Sequence, residues 1–204
     1  MWGVAVAIDL SCPPWCVEHS ARDVDAGRRT HRGPELVTEV AEVVFIGVVR
    51  KVIVRLCARD RAESRQCFIE LVDPHGAVVE LTVADARAVA NMLIRSADLR
   101  LGPAEGLCPS WCEGHRQPAP DCPEDGLEHW GPYLAIVVPG RGGFGVTIGT
   151  RVSAFDENGS RRVSLYMVVQ SIATELEGDE ACKLIAHLLD CSDLGAVSIH
   201  MDTL

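Results

Sequence analysis

The octapeptides CPPWCVEH (residues 12–19) and CPSWCEGH (residues 108–115) share the pattern Cys-Pro-x-Trp-Cys-x-x-His. In a reducing compartment, cysteine and histidine grouped at short spacing are typical of a metal site. Spacings of four and then three residues would place two sulfurs and an imidazole on one face of a helical turn. Pro13 and Pro109 suit the first position of a helix, where no backbone donor is needed. We therefore predict that each octapeptide is a helix N-terminus presenting three metal ligands.

A histidine further along each copy can complete the ligand set. His31 and His129 each precede x-Gly-Pro and the first long strand of their copy. Two thiolates and two neutral imidazoles make a tetrahedral shell that suits Zn²⁺, whereas the long gap before the last histidine departs from the usual nucleic-acid-binding finger. We predict two Zn²⁺ per chain. The predicted ligands are Cys12, Cys16, His19 and His31 in the first copy, and Cys108, Cys112, His115 and His129 in the second. A disulfide within each Cys-x3-Cys pair, or reduced and unligated cysteine, is the alternative.

Three polar residues near the predicted ligands can have supporting roles. Asp23 and Asp121 are equivalent, and each can accept a hydrogen bond from a ligand imidazole, replace a ligand, or cap a turn. Cys122 has no counterpart in the first copy, which disfavours it as a replacement for His115. The choice among these roles stays open at the level of sequence.

Trp15 and Trp111 occupy the same position in the two octapeptides. Tryptophan beside a metal-binding turn commonly covers it and anchors it to the rest of the domain. We expect both rings to shield the metal turns and to pack them on the sheet, in preference to a role as binding-surface aromatics.

The similarity of the two halves extends to their ends, so the chain is a tandem repeat. Cys12 matches Cys108 at an offset of 96. The stretch LTVADARAVANMLIRSADL (81–99) matches LEGDEACKLIAHLLDCSDL (176–194) at an offset of 95. We predict two small domains, residues 1–101 and 102–204.

Each copy has β-type segments after its Cys/His segment. Stretches rich in Val and Ile, within residues 36–83 and 133–169, predict strands, while ARDRAES (58–64) is expected to be a polar link. DPHG (73–76) and DENGS (156–160) are typical turns. GRGGFG (140–145) fits a dinucleotide-binding pattern, but a strand-like segment follows it where that motif needs a helix, so we interpret it as a hairpin connection.

A helix is predicted to close each copy. Ala86, Val89 and Leu93 fall on one helical stripe, and Leu184 and Leu188 fall on another. Thr82 or Asp85 is the expected cap of the first helix and Asp179 that of the second, with a last strand expected at residues 196–201. The predicted fold class is α+β: two repeats, each a Cys/His segment, a curled antiparallel sheet and one C-terminal helix.

Composition restricts the class of protein. The chain has 204 residues, 48% of them hydrophobic, and no apolar run long enough to span a bilayer. We therefore expect a cytoplasmic protein without a membrane segment. The net charge of −10 disfavours a dedicated nucleic-acid-binding protein. The charge is uneven: residues 1–101 carry 13 basic and 14 acidic side chains, and residues 102–204 carry 6 and 15.

The motifs together resemble a family of domains of unknown function that is common in actinobacteria and their phages. CPPWC, His19, Asp23, His31 and SADL carry the resemblance in the first copy. CPSWC, His115, Asp121, His129 and CSDL carry it in the second. The resemblance covers nearly the whole chain and implies a small intracellular, metal-binding domain, with no activity to carry over.

The preferred functional hypothesis is a non-enzymatic binding or regulatory protein with two structural zinc sites and an unidentified protein partner. One alternative is a metal-dependent hydrolase, with three protein ligands and water at each metal. The other is a nucleic-acid-binding regulator that uses the basic cluster Arg28, Arg29 and Arg32, which we expect to be a solvated loop.

Overall fold

The computed structural model of the protein describes residues 12–19, 29–41, 49–61, 64–100, 108–116, 126–140, 144–157 and 159–201. Within these ranges the chain twice forms an antiparallel sheet followed by a helix. The first unit contains β1 (Glu18–His19), β2 (Arg29–Arg32), β3 (Leu36–Ala41), β4 (Val49–Arg61), β5 (Ser64–Val72), β6 (Val78–Leu81) and α1 (Val83–Arg100). The second contains β7 (Gly114–Arg116), β8 (Leu127–Trp130), β9 (Leu134–Pro139), β10 (Gly145–Glu157), β11 (Ser160–Val169), β12 (Ile172–Leu176) and α2 (Gly178–Met201). This arrangement agrees with the predicted tandem α+β layout.

One long strand organises each sheet. β4 pairs with β3 along its first half, with β2 along its second half, and with β5 on its other edge. β10 pairs with β9, β8 and β11 in the same way. Alternate residues of β4 are buried, because Val52, Val54, Leu56 and Ala58 lie on the face that the helices cover. The short strands β2 and β8, each of which carries a predicted metal ligand, are thereby fixed to the second half of the long strand.

Of the four predicted connections, DPHG (73–76) is a turn, and DENGS (156–160) spans the connection from β10 to β11, with Gly159 at a φ of 78°. The Asp73 carboxylate accepts hydrogen bonds from the backbone N–H groups of His75 and Ala77, and Gly76 has a φ of 86°. β10 follows the glycine-rich segment 140–145 directly, so the prediction of a strand there is confirmed. The predicted polar link at residues 58–64 is wrong, because β4 runs to Arg61 and β5 begins at Ser64. One of its polar side chains, Asp60, belongs to the candidate site described below.

The capping residues predicted for the two helices are correct for α1 and wrong for α2. The Thr82 hydroxyl accepts from the Asp85 backbone N–H (3.1 Å), and the Asp85 carboxylate accepts from the Thr82 N–H (3.1 Å), so both expected residues cap α1. At α2 the reciprocal contact is between the Glu177 N–H and the Glu180 carboxylate (2.7 Å), and Asp179 instead lies in the first turn. The strand expected at residues 196–201 is wrong, because α2 continues to Met201.

Each helix packs mainly on the sheet of the other unit. α1 contacts β9, β10 and β11, and α2 contacts β3, β4 and β5. In α1 the Ser96 hydroxyl lies 2.8 Å from the Thr150 hydroxyl of β10. In α2 a Cβ on Gly195 would lie 3.3 Å from Leu56 of β4 and 3.0 Å from Val83 of α1. The two units therefore exchange helices within one chain.

The exchange joins both units into one hydrophobic core. A single cluster of buried side chains contains residues of both sheets and both helices. The helices also pack against each other, and Arg87 of α1 forms an ion pair with Asp193 of α2 (2.7 Å). Among the described residues, no helix is long and apolar enough to cross a membrane.

Candidate metal centre

The Cys-Pro-x-Trp-Cys stretch is a single turn, so the predicted helix N-terminus is wrong. The Cys16 N–H donates to the Pro13 carbonyl (2.9 Å), and the next amide, that of Val17, donates across to the Arg32 carbonyl of β2 (2.9 Å). The second unit repeats both bonds, from Cys112 to Pro109 and from Glu113 to Trp130. Because the amide after each turn pairs with a neighbouring strand, the chain continues as a strand and not as a helix.

Strand pairing brings the two histidines of each unit together. His19 of β1 is the register partner of His31 of β2, and His115 of β7 is the partner of His129 of β8. Their ring centroids lie 5.0 Å apart in the first unit and 4.8 Å apart in the second. The residues Arg29–Arg32 therefore form a strand that carries a predicted ligand, not the solvated loop expected from the sequence, and Arg28 lies outside the described residues.

The turn and the strand pair place four side chains around one point in each unit. In both units the Cys₂His₂ set has one donor atom from each residue, and all four atoms lie within 4.8 Å of one another. Cys12 Sγ is 3.4 Å from His19 Nε2 and 3.7 Å from His31 Nδ1. Cys108 Sγ is 3.3 Å from His115 Nε2. Each cluster could hold a metal ion.

A carboxylate supports the buried histidine of each cluster. Asp60 Oδ2 of β4 lies 2.8 Å from His31 Nε2, and Asp156 Oδ2 of β10 lies 2.9 Å from His129 Nε2. Asp60 also accepts from Arg65 of the next strand, as Asp156 does from Arg161. A carboxylate behind an imidazole fixes the tautomer and the orientation of a metal-binding histidine.

Asp60 and Asp156, with their arginine partners, are residues of the candidate site that the sequence did not predict. Asp60 and Asp156 are separated by 96 residues, as are Arg65 and Arg161, and this is the offset of the cysteines. A residue-by-residue comparison of the repeats could have found them. The proposed alternatives, Asp23 and Asp121, lie outside the described residues, as does Cys122.

The hydrogen bonds leave the inward-facing nitrogens free to bind a cation. When Nε2 donates to the carboxylate, Nδ1 keeps its lone pair, and His129 Nδ1 is buried without a hydrogen-bond partner. An unpartnered buried acceptor costs free energy, which a metal ion at the centre of the cluster would remove. Burial also lowers the pKa of His31, despite the opposing influence of Asp60, and so favours the neutral form that binds metal.

The carboxylates are held in the charged form that accepts these bonds. Burial alone would raise the pKa of Asp60, but hydrogen bonds from Arg65 and His31 lower it below the ordinary value. Hydrogen bonds from Arg161 lower the pKa of Asp156 to about 2. Charged aspartate and neutral histidine are the protonation states that metal coordination at Nδ1 requires.

Unlike the histidines and aspartates, the thiols have pKa values shifted away from the form that binds metal, which is the thiolate. Desolvation and the neighbouring Cys16 thiol raise the pKa of Cys12, and desolvation and Cys112 do the same for Cys108. Two neighbouring thiolates repel each other unless a cation lies between them. The eight described cysteines form no disulfide.

The two tryptophans hold the turns against the sheets. Trp15 Nε1 donates to the Ser198 hydroxyl of α2 (2.8 Å), which links the first cluster to the exchanged helix. A Cβ on Gly33 would lie 3.5 Å from the Trp15 ring, and one on Gly131 would lie 3.1 Å from the Trp111 ring. The glycine of each x-Gly-Pro segment therefore lets an indole lie close to the backbone beside the Cys-x3-Cys turn.

A protein-family model matches the first repeat of the chain. Residues 3–100 match the model of a family described as a domain of unknown function, DUF6907. That range contains the whole first Cys/His cluster. No curated protein and no solved structure matches the chain. The first repeat is thus similar to an unknown-function domain family, and the match carries no activity.

Proposed function

We propose that the protein is a non-enzymatic intracellular binding or regulatory protein in which each Cys₂His₂ cluster holds one structural Zn²⁺. The observation that supports this most strongly is the repeated convergence of two sulfurs and two imidazole nitrogens within 4.8 Å. Soft thiolates combined with neutral imidazoles in a four-donor set are the chemistry that Zn²⁺ prefers. The bound ion would tie the Cys-x3-Cys turn to the paired histidine strands.

The donor number favours a structural over a catalytic metal. A catalytic zinc ion keeps one position for water or substrate, whereas four protein ligands close the shell. His31 and His129 each offer a fourth donor atom within 4.8 Å of the other three, which favours a closed shell over a hydrolytic site. The task of the ion in this proposal is to hold β1, β2 and the tryptophan turn on the end of the sheet. In this proposal, the surface that the ion stabilises acts by contacting another protein.

Elemental analysis of protein purified without chelator tests the metal assignment. We expect about two zinc equivalents per chain, because each of the two clusters offers four donor atoms. After exchange with Co²⁺, we expect the strong visible absorption of tetrahedral cobalt and intense thiolate-to-cobalt bands for two thiolates per ion. Protein without bound metal, or a cobalt spectrum typical of five or six ligands, would contradict the proposal.

The supporting carboxylate provides a second test. Asp156→Ala is expected to weaken zinc binding at the second cluster by about 10–100-fold, because His129 loses the acceptor that orients it. Asp156 is a better choice than Asp60, whose side chain is more buried (10% exposed against 31%). Competition with a chromophoric chelator measures the change. Glu113→Ala is the control, since it removes a charge beside Cys112 from an exposed position; equal effects of the two variants would contradict the orienting role.

A further inference from the structure

On the outer faces of the two sheets, two equivalent arginines have different neighbours. In the first unit, Arg55 of β4 donates to Glu70 (Nε to Oε2, 2.7 Å) and to Glu35 (Nη1 to Oε1, 2.9 Å). Glu70 is buried, and the two carboxylates surround the guanidinium group. The charge of Arg55 is thus neutralised inside the protein.

In the second unit both of these carboxylates are replaced by tyrosine. Arg151 of β10 is equivalent to Arg55, Tyr133 stands at the position of Glu35, and Tyr166 stands at that of Glu70. Tyr166 is the register partner of Arg151, as Glu70 is of Arg55. The repeat has kept the cation and lost its internal counter-ions.

Aromatic rings hold the Arg151 guanidinium instead. Its Cζ lies 5.4 Å from the centroid of the Trp130 ring and 5.2 Å from that of Tyr133. A Cβ on Gly149 would overlap the Tyr133 ring, so glycine at this position lets the tyrosine lie across the strand. Arg151 Nε is buried without a hydrogen-bond partner, and Arg151 forms no ion pair with a described residue.

These side chains line a cavity of about 470 Å³ on the outer face of the second sheet. Trp130, Tyr133 and Tyr166 form aromatic walls around Arg151, and Val168 adds an apolar surface. Arg116 and Glu128, register partners on β7 and β8, add one charge of each sign. The cavity therefore combines an uncompensated cation with an apolar lining.

We propose that this cavity binds a small organic anion, in which a carboxylate or phosphate group is attached to an aromatic or apolar body. The guanidinium fork matches either oxyanion with two parallel hydrogen bonds, and the flanking rings hold it in place. An anion would provide the counter-charge that Arg151 lacks, and the aromatic walls would contact the apolar part of the ligand. The inference goes beyond the proposed metal sites and does not depend on their occupancy.

The binding test uses the full-length, metal-loaded protein and NMR spectra of the Trp130 indole N–H and the Arg151 Nε–H. Benzoate and phenyl phosphate are the anionic probes and distinguish carboxylate from phosphate; benzamide is the neutral match. We expect at least one anion to shift both signals, with a dissociation constant on the order of 1 mM or lower, and benzamide to bind at least about tenfold more weakly. No shift with either anion, or equal binding of benzamide, would overturn the proposal.

Variants assign the binding to the guanidinium group of Arg151. Tyr133→Glu places a carboxylate where the first unit has Glu35 and is expected to weaken anion binding by at least about tenfold, as is Arg151→Gln. Val137→Glu is the matched control, because it adds the same charge at an exposed position (71%) of β9 outside the cavity. Its binding should stay within about twofold of the original protein.

The variants also keep the two proposals separable. Tyr133 is exposed, so Tyr133→Glu supplies the test even where Arg151→Gln is poorly folded. Unchanged anion binding in Tyr133→Glu, or an equal loss in Val137→Glu, would overturn the assignment. Zinc content is measured on every sample, so a protein that binds zinc but no anion contradicts only the cavity proposal.

Discussion

Replacing Cys12 with serine is expected to reduce the zinc content from about two equivalents per chain to about one. Cys12 Sγ lies 3.4 Å from His19 Nε2 and 3.7 Å from His31 Nδ1, and a hydroxyl group is a poor ligand for zinc at neutral pH. The free energy of unfolding should fall by a few kcal/mol, because metal binding to the native state contributes to stability. Backbone amides of β1 and β2 should exchange with solvent faster than those of β7 and β8.

Two further variants make this result specific. Cys108→Ser should show the reciprocal pattern, with faster exchange in β7 and β8 and the first cluster still loaded. Cys182→Ser changes an exposed cysteine of α2 outside both clusters and should retain two equivalents. Elemental analysis and hydrogen exchange on the same samples measure both effects. Loss of both zinc ions in Cys12→Ser, or of neither, would contradict the assignment of two separate Cys₂His₂ sites.

The exchange of helices leads to the second large effect. We expect a fragment of residues 1–101 not to form a folded monomer, although it contains a complete sequence repeat. In the full chain, the inner face of β3, β4 and β5 is covered mainly by α2, which the fragment lacks. Its own helix, α1, would have to leave its packing site on the second sheet. Exposing a sheet face built from Val, Ile and Leu costs more than so small a unit can tolerate.

Mixing the two halves provides the matched experiment. Fragments 1–101 and 102–204, each with zinc, should be unfolded or self-associated when separate, and should form a folded heterodimer when combined. Circular dichroism and size-exclusion chromatography with light scattering measure folding and association. A monomeric fragment 1–101 with native-like amide protection in β4 and β5 would contradict the expectation. That result would support residues 1–101 and 102–204 as independently folding domains, a boundary prediction that this experiment addresses directly.

Much of the candidate site could be predicted from the sequence, because its ligands lie close together along the chain. Cys12, Cys16 and His19 occur within eight residues, and the same spacing recurs at Cys108. A spacing of four and three residues brings such side chains together in a helical turn and also in a β-turn followed by a strand. The grouping of these side chains into one cluster was therefore predictable even though the predicted helix was wrong.

The partners of His31 and His129 could not be assigned in the same way. Asp60 and Asp156 are distant in sequence from the histidines, and polar residues near a hairpin resemble a solvated link. Only the register of β2 on β4, and of β8 on β10, places each carboxylate at an imidazole nitrogen. The role of the tyrosines beside Arg151 could not be predicted from the sequence either. It becomes clear only when Arg55 and its carboxylates are seen at the equivalent place in the first unit.

By itself, the sequence determined the repeat, the strand-rich middle and the closing helix of each copy, and the grouping of the candidate metal ligands, because these depend on local spacing and on the alternation of apolar residues. Tertiary structure alone decided which sheet each helix covers. The apolar stripes of α1 and α2 are alike, and both sheets offer similar Val- and Ile-rich faces, so local pattern does not distinguish the two pairings. Which helix covers which sheet is fixed only when both sheets and both helices pack together in one shared core.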